Sequence, residues 1–330
     1  MNPLPKSPHT FTERTKAFLV IILTLFFIQG SYQLTLAKDK KNNTRINHAK
    51  KRIVVNVNKR TLPSKIHLAT GKVAATNTTK SEKRASAISS MSLLGFGNAR
   101  VAVKDHQLRG TVYYLASGHG GPDPGAIGHY GKHPLAEDEY AYDVTIRLAR
   151  ALKEHGATVY MIVRDPNDGI RDDKILKVDH DEVAYPNQRI PLNHTQRLRQ
   201  CTDAVNKLYR KHKGAYQRMV TIHVDSRSAG QTIDVFFYHH ERSKVGQRLA
   251  KHIHKSFQSG YKRSQPTRAY SGTVSDRSSL YVVRNSQAPT VFIELGNIRN
   301  EKDQRRFLLA DNRQALANWI YTGLQKDYRN

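Results

Sequence analysis

The chain has 330 residues, 38% of them hydrophobic, one cysteine, and 54 Lys and Arg against 27 Asp and Glu, a formal net charge of +27. A single cysteine excludes an internal disulfide and a cysteine-rich zinc site, so any bound metal must rest on histidines and carboxylates. The basic excess predicts attraction to polyanions such as nucleic acid, anionic lipid or anionic envelope polymers, and says nothing about fold.

Residues 17–28 read AFLVIILTLFFI and follow Lys6, Arg14 and Lys16. The run is shorter than the roughly 20 residues of a comfortable membrane span. With a basic segment ahead of it, it fits an export signal, Thr35-Leu36-Ala37 standing before a cleavage point, or a retained membrane anchor. Residues 1–37 are assigned to that segment, which places the remainder outside the cytoplasm, in the periplasm or cell envelope. Residues 38–108 are poor in aromatics and rich in Lys, Arg, Asn, Thr and Ser. They are expected to form a basic, partly disordered linker, with one strand over KRIVVNVNKR and an alternative role as an electrostatic tether to anionic envelope polymers.

From residue 110 the pattern changes. Strands are expected over 111–117 (TVYYLAS), 158–164, 218–224, 232–239 and 289–295, alternating with helices over 137–155, 194–212, 243–258 and 312–326. Gly156 is placed to close the first helix, and Asn193 or Thr195 to open the second. This alternation predicts an α/β fold: a mostly parallel twisted sheet flanked by helices, in a single domain over 109–330. The polar, acid-rich stretch 165–190 reads as a long surface loop, with a regulatory or substrate-contacting role as the alternative.

The chemistry gathers where strands end. His119, in the turn GHGGPDPGA, falls just past strand 111–117; His223 falls near the end of 218–224, and Glu294 near the end of 289–295. Ligand sites in open α/β sheets form at the carboxyl ends of strands. Two imidazoles and a carboxylate with a position left for water make the shell of a catalytic zinc. Glu137 and Glu139, both in the first turn of the following helix, are the candidates to complete it, although helix-dipole stabilisation alone accounts for an acid there.

Taken in order, GHGGPDPGAIG (118–128), AEDEYAYDVTIRLARALKEHGATVYMIVRD (136–165), RIPLNHTQRLRQCTDAV (189–205), TIHVDS (221–226), LYVVRNSQAPTVFIELGNIRNEKD (280–303) and ALANWIYTGLQKDY (315–328) resemble the zinc-dependent N-acetylmuramoyl-L-alanine amidases of the amidase-3 family. The resemblance implies that 109–330 is a zinc amidase catalytic domain, with His119, Glu137 and His223 holding Zn2+ and Glu294 as the catalytic carboxylate. Glu137 is preferred over Glu139 by its separation from His155-Gly156. The implied substrate is peptidoglycan, cut at the amide between N-acetylmuramic acid and L-alanine. Alternatives are a zinc peptidase acting on stem peptides and a catalytically inactive peptidoglycan-binding protein; no base-reading motif points to nucleic acid. This chain departs from the family pattern at Ala116, where an aspartate is usual, at Asn297, where an apolar residue is usual, and at Glu137-Asp138-Glu139, where Glu-Lys-Asp is usual. There is little room for a long helix after His223, so an open site is expected.

Overall fold

The computed structural model describes residues 88–90, 94–95 and 100–330. The expectations for 1–37, and for most of 38–108 including KRIVVNVNKR, lie outside the described residues. Two short strands, β1 (Ile88–Ser90) and β2 (Arg100–Ala102), pair antiparallel. Leu94, Val101 and Leu108 are buried in the main apolar cluster, so folded structure begins ahead of residue 109.

The centre is a six-stranded sheet. Its strands are β3 (Thr111–Ser117), β6 (Thr158–Met161), β10 (Tyr216–Asp225), β11 (Phe236–His239), β12 (Thr273–Asp276) and β13 (Thr290–Asn297), in the spatial order β12-β11-β13-β10-β3-β6. All neighbours run parallel except β11 and β13. The exception has a local cause. The link from β10 to β11 carries no helix, and a connection that short brings a chain back antiparallel, whereas parallel crossovers need a dozen or more residues. Every residue of β3 and of β13 is buried, which is why both read as nearly unbroken apolar runs.

Helices cover both faces. On one side α1 (Glu137–Glu154) and α3 (Lys244–Ser264) lie on the sheet, with α6 (Ala310–Arg329) packed across them. The other side is closed by α2 (His194–Lys211) and the short α4 (Tyr281–Asn285), through Val205, Leu208, Val282 and Val283 against Val112, Tyr114 and Phe292. Asn193 caps α2, its side chain accepting the Gln196 amide, and Gly156 follows α1 with φ +85. No helix among the described residues is long and apolar enough to cross a membrane.

Short elements complete the domain. A hairpin of β4 (Ile127–Tyr130) and β5 (His133–Ala136) precedes α1, and α5 (Glu301–Leu308) follows β13. Residues 165–190 are more than a surface loop. β7 (Val163–Arg164), β8 (Val183–Ala184) and β9 (Gln188–Arg189) form a small antiparallel sheet, and Asp165, Leu176, Glu182, Ala184 and Ile190 are buried. The stretch folds inward because buried acids of α1 require partners: Arg171 pairs with Glu139 at 2.8 Å, and the Asp179 amide donates to the same carboxylate at 2.9 Å.

Candidate metal centre

β13, β10 and β3 are adjacent and parallel, so their carboxyl ends share one rim. His223 and Glu294 are direct register partners across β10 and β13. Gly118 joins the end of β3 to β10, its amide donating to the Ile222 carbonyl at 2.7 Å. A Cβ at Gly118 would sit 2.2 Å from His223 Nδ1, so only glycine leaves room for that ring. His119 follows with φ +64, a left-handed conformation uncommon outside glycine.

The first turn of α1 supplies the acid. His119, Glu137 and His223 each offer a ligating atom within 4.8 Å of the others. His223 Nδ1 lies 2.9 Å from Glu137 Oε1, and His119 Nε2 lies 3.3 Å from Glu137 Oε2. Two backbone amides hold the carboxylate in place: Val224 donates to Oε1 at 3.1 Å and Ala126 to Oε2 at 2.9 Å. Glu139, the alternative acid, points elsewhere, to Arg171. The structure thus brings His119, Glu137 and His223 together and leaves Glu139 out of the group.

Asp123, which the sequence did not single out, contacts the group from outside. Its Oδ2 accepts from His119 Nδ1 at 2.8 Å and from Arg197 Nη2 at 2.5 Å. That bond orients the imidazole with its Nε2 toward the cluster, as outer carboxylates do for metal-bound histidines. The available signal was the i, i+4 spacing within the glycine-rich turn. On the far side, the His223 ring stacks on Phe292 with centroids 4.2 Å apart.

Electrostatics separate the two acids. Burial works to raise the Glu137 pKa, but the bonds to His119 and His223 prevail and hold it well below the carboxylate range. Burial likewise works to lower that of His119, yet its bonds to Asp123 and Glu137 lift it to about 10. His223 is shifted down, chiefly by burial. Glu294 is pushed well up, first by burial and then by the charges of Glu137 and Asp225, and its buried Oε2 has no hydrogen-bond partner. The donor set fits a zinc ion: two imidazoles and one preformed carboxylate, beside a buried acid whose Oε2 has no hydrogen-bond partner.

A cavity of about 440 Å³ opens beside the cluster, walled by β3, β10, β13, α2 and α4 and lined by His119, His223, Arg197, Ile162, Phe292 and Leu280. No helix intervenes between Asp225 and Lys244. Ala116 lines this cavity. Asn297 is fully buried and organises the loop after β10: its Oδ1 accepts the amides of Arg227 and Arg299, and its Nδ2 donates to the carbonyls of Ser228 and Gln231.

A protein-family model described as N-acetylmuramoyl-L-alanine amidase matches residues 114–326. A Staphylococcus aureus protein described as a probable cell wall amidase, LytH, is 26% identical over 225 residues, covering 66% of this chain and 58% of the relative. The chain therefore spans little more than half the length of that curated relative. Among solved structures, the CwlD amidase of Clostridioides difficile, in complex with the GerS lipoprotein, aligns with TM-score 0.49 and 20% identity over 66% of this chain and 98% of that one. The catalytic domain of CwlV, from Bacillus (Paenibacillus) polymyxa var. colistinus, aligns with TM-score 0.48 and 18% identity over 66% and 98%.

Proposed function

This chain belongs to the N-acetylmuramoyl-L-alanine amidase family, and from that premise we propose that it hydrolyses the amide between N-acetylmuramic acid and L-alanine in bacterial peptidoglycan, with zinc held by His119, Glu137 and His223. The observation that carries the reading is the convergence of two imidazoles and one carboxylate within 4.8 Å, with the unpartnered Glu294 in register beside His223. Zinc held there supplies Lewis-acid polarisation of the amide carbonyl and lowers the pKa of water to roughly 7.

The chain's own residues do the rest. Glu137 is held by the Val224 and Ala126 amides, and His119 by Asp123, so both are braced by groups outside the donor set. Glu294 takes a proton from the attacking water and passes it to the L-alanine nitrogen as the C–N bond breaks, leaving a lactyl carboxylate and a free amine. The substrate places the protein at the cell envelope, and the basic excess of the chain favours retention on anionic envelope polymers.

The test is digestion of purified peptidoglycan followed by mass spectrometry. Intact stem peptides beginning with L-alanine, lost on adding a chelator and restored by zinc, are the expected products. Peptides cut internally would replace this reading with a stem-peptide peptidase.

A further inference from the structure

We propose that Arg277, with Arg227 beside it, receives the first carboxylate of the stem peptide, that of the D-glutamyl residue attached to the L-alanine of the scissile amide. The inference rests on the hydrolase reading above and adds the orientation and charge preference of its substrate.

Orientation follows from the sheet. Glu294 must reach the departing nitrogen, and β13 lies between β10, which carries His223, and β11. The leaving amine is therefore on the β11 side of the imidazoles. The stem peptide runs out over β11, and the muramoyl group turns toward the cavity under α2.

The surface of β11 suits an acid. Phe236 is the register partner of Glu294, and Tyr238 of Phe292; paired residues share a face of the sheet. Each ring carries a guanidinium. Arg227 Cζ lies 5.3 Å from the Phe236 centroid, and Arg277 Cζ lies 5.1 Å from that of Tyr238. Cation–π contacts of this kind hold the fork over the ring and leave its N–H groups to bond elsewhere.

The two arginines differ in charge balance. Arg227 is paired with Asp225 at 2.7 Å, and its amide is pinned by buried Asn297. Arg277 has no carboxylate within 4.0 Å among the described residues, and its guanidinium makes no protein hydrogen bond there. Its backbone is nevertheless fixed, the amide donating to His239 at 2.9 Å and the carbonyl accepting from Leu280 at 3.1 Å. Ser279, two residues on, lines the same cavity as His119 and His223. A preplaced, unpaired guanidinium beside the leaving-group path matches a bidentate carboxylate.

The experiment uses the full chain loaded with zinc and two synthetic substrates blocked alike at the γ-carboxyl, N-acetylmuramoyl-L-alanyl-D-glutamate γ-methylamide, whose α-carboxylate is free, and its α-amide, the D-isoglutamine analogue. The wild-type protein is expected to favour the free acid in kcat/KM by roughly tenfold, the scale of one charge-assisted hydrogen-bonded pair. In Arg277→Met that ratio falls toward one, and in Arg277→Lys it is intermediate. Equal rates on both substrates by the wild-type chain overturn the inference alone. So does a wild-type ratio that survives unchanged in Arg277→Met. Failure to cleave either substrate overturns the hydrolase reading, and this inference with it.

Discussion

The His223 ring rests on the bare Cα of Gly118, so the smallest possible substitution there is a sharp probe of the site. Gly118→Ala is expected to displace the ring, abolishing zinc binding by equilibrium dialysis while far-ultraviolet circular dichroism is kept. Glu294→Gln is expected to do the opposite: turnover falls by about 10²- to 10⁴-fold, the usual weight of a general acid–base group, and one zinc per chain is retained. Asp123→Asn leaves the ligands in place but weakens the fixing of His119, and zinc affinity should drop about 10- to 100-fold. A fourth residue governs pH behaviour. Glu182 is buried and donated to by the Gly121 amide at 2.6 Å, and burial first, with Glu139 and Asp165 adding to it, pushes its pKa up to about 7. For an acid whose folded pKa exceeds its unfolded one, the stability it contributes is complete below the unfolded value and is lost as pH rises through the folded value. Glu182→Gln should therefore raise the melting temperature at pH 8 and leave it nearly unchanged at pH 4. His119, His223 and Glu294 were singled out because each stands at a strand end, and the parallel sheet is what brings them to one rim. Glu137 and Glu139 share one helical turn; the family resemblance preferred Glu137, and Glu139 turns away to Arg171, 32 residues on, a partner that no local pattern reveals. Glu182 reaches Gly121 over 61 residues and was invisible for the same reason.

At the scale of elements, long periodic segments were read closely and short ones were not. The strand over 111–117 and the helices beginning at 137 and 194 fall where the apolar pattern and caps put them. The β4–β5 hairpin, β12, α4 and α5 are each eight residues or fewer, too short for periodicity to speak. The antiparallel turn of β11 depends on the absence of a crossover helix. One element is held chiefly by charge. Asp327, on α6, is buried and accepts from Arg218 at 2.8 Å, Arg248 at 2.8 Å and Tyr216 at 2.5 Å. Asp327→Ala leaves the buried Arg218 without its carboxylate and should cost about 3–5 kcal/mol in denaturant unfolding. Arg218→Met combined with it should recover part of that loss.

For the whole molecule, the three-layer α/β architecture expected from strand–helix alternation is the one observed, with apolar clusters on both faces of the sheet. Sequence placed the domain's start at 109, because the short β1 and β2 and the isolated buried residues Leu94 and Val101 carry no repeating pattern. The net charge of +27 acts over the whole chain. Hydrolysis of insoluble peptidoglycan bearing anionic polymers should fall more steeply with added salt than hydrolysis of a small soluble fragment, because salt screens long-range attraction and leaves short contacts intact. His223 and Glu294, finally, occupy the same rung of a hydrogen-bonded ladder. Their spacing is thus set by the pitch of the backbone and is insensitive to the loops around them. Loop grafts could retune what the protein accepts without disturbing that pair, whereas deleting one residue from the upstream half of β10 would flip the imidazole to the opposite side and leave an intact but silent scaffold.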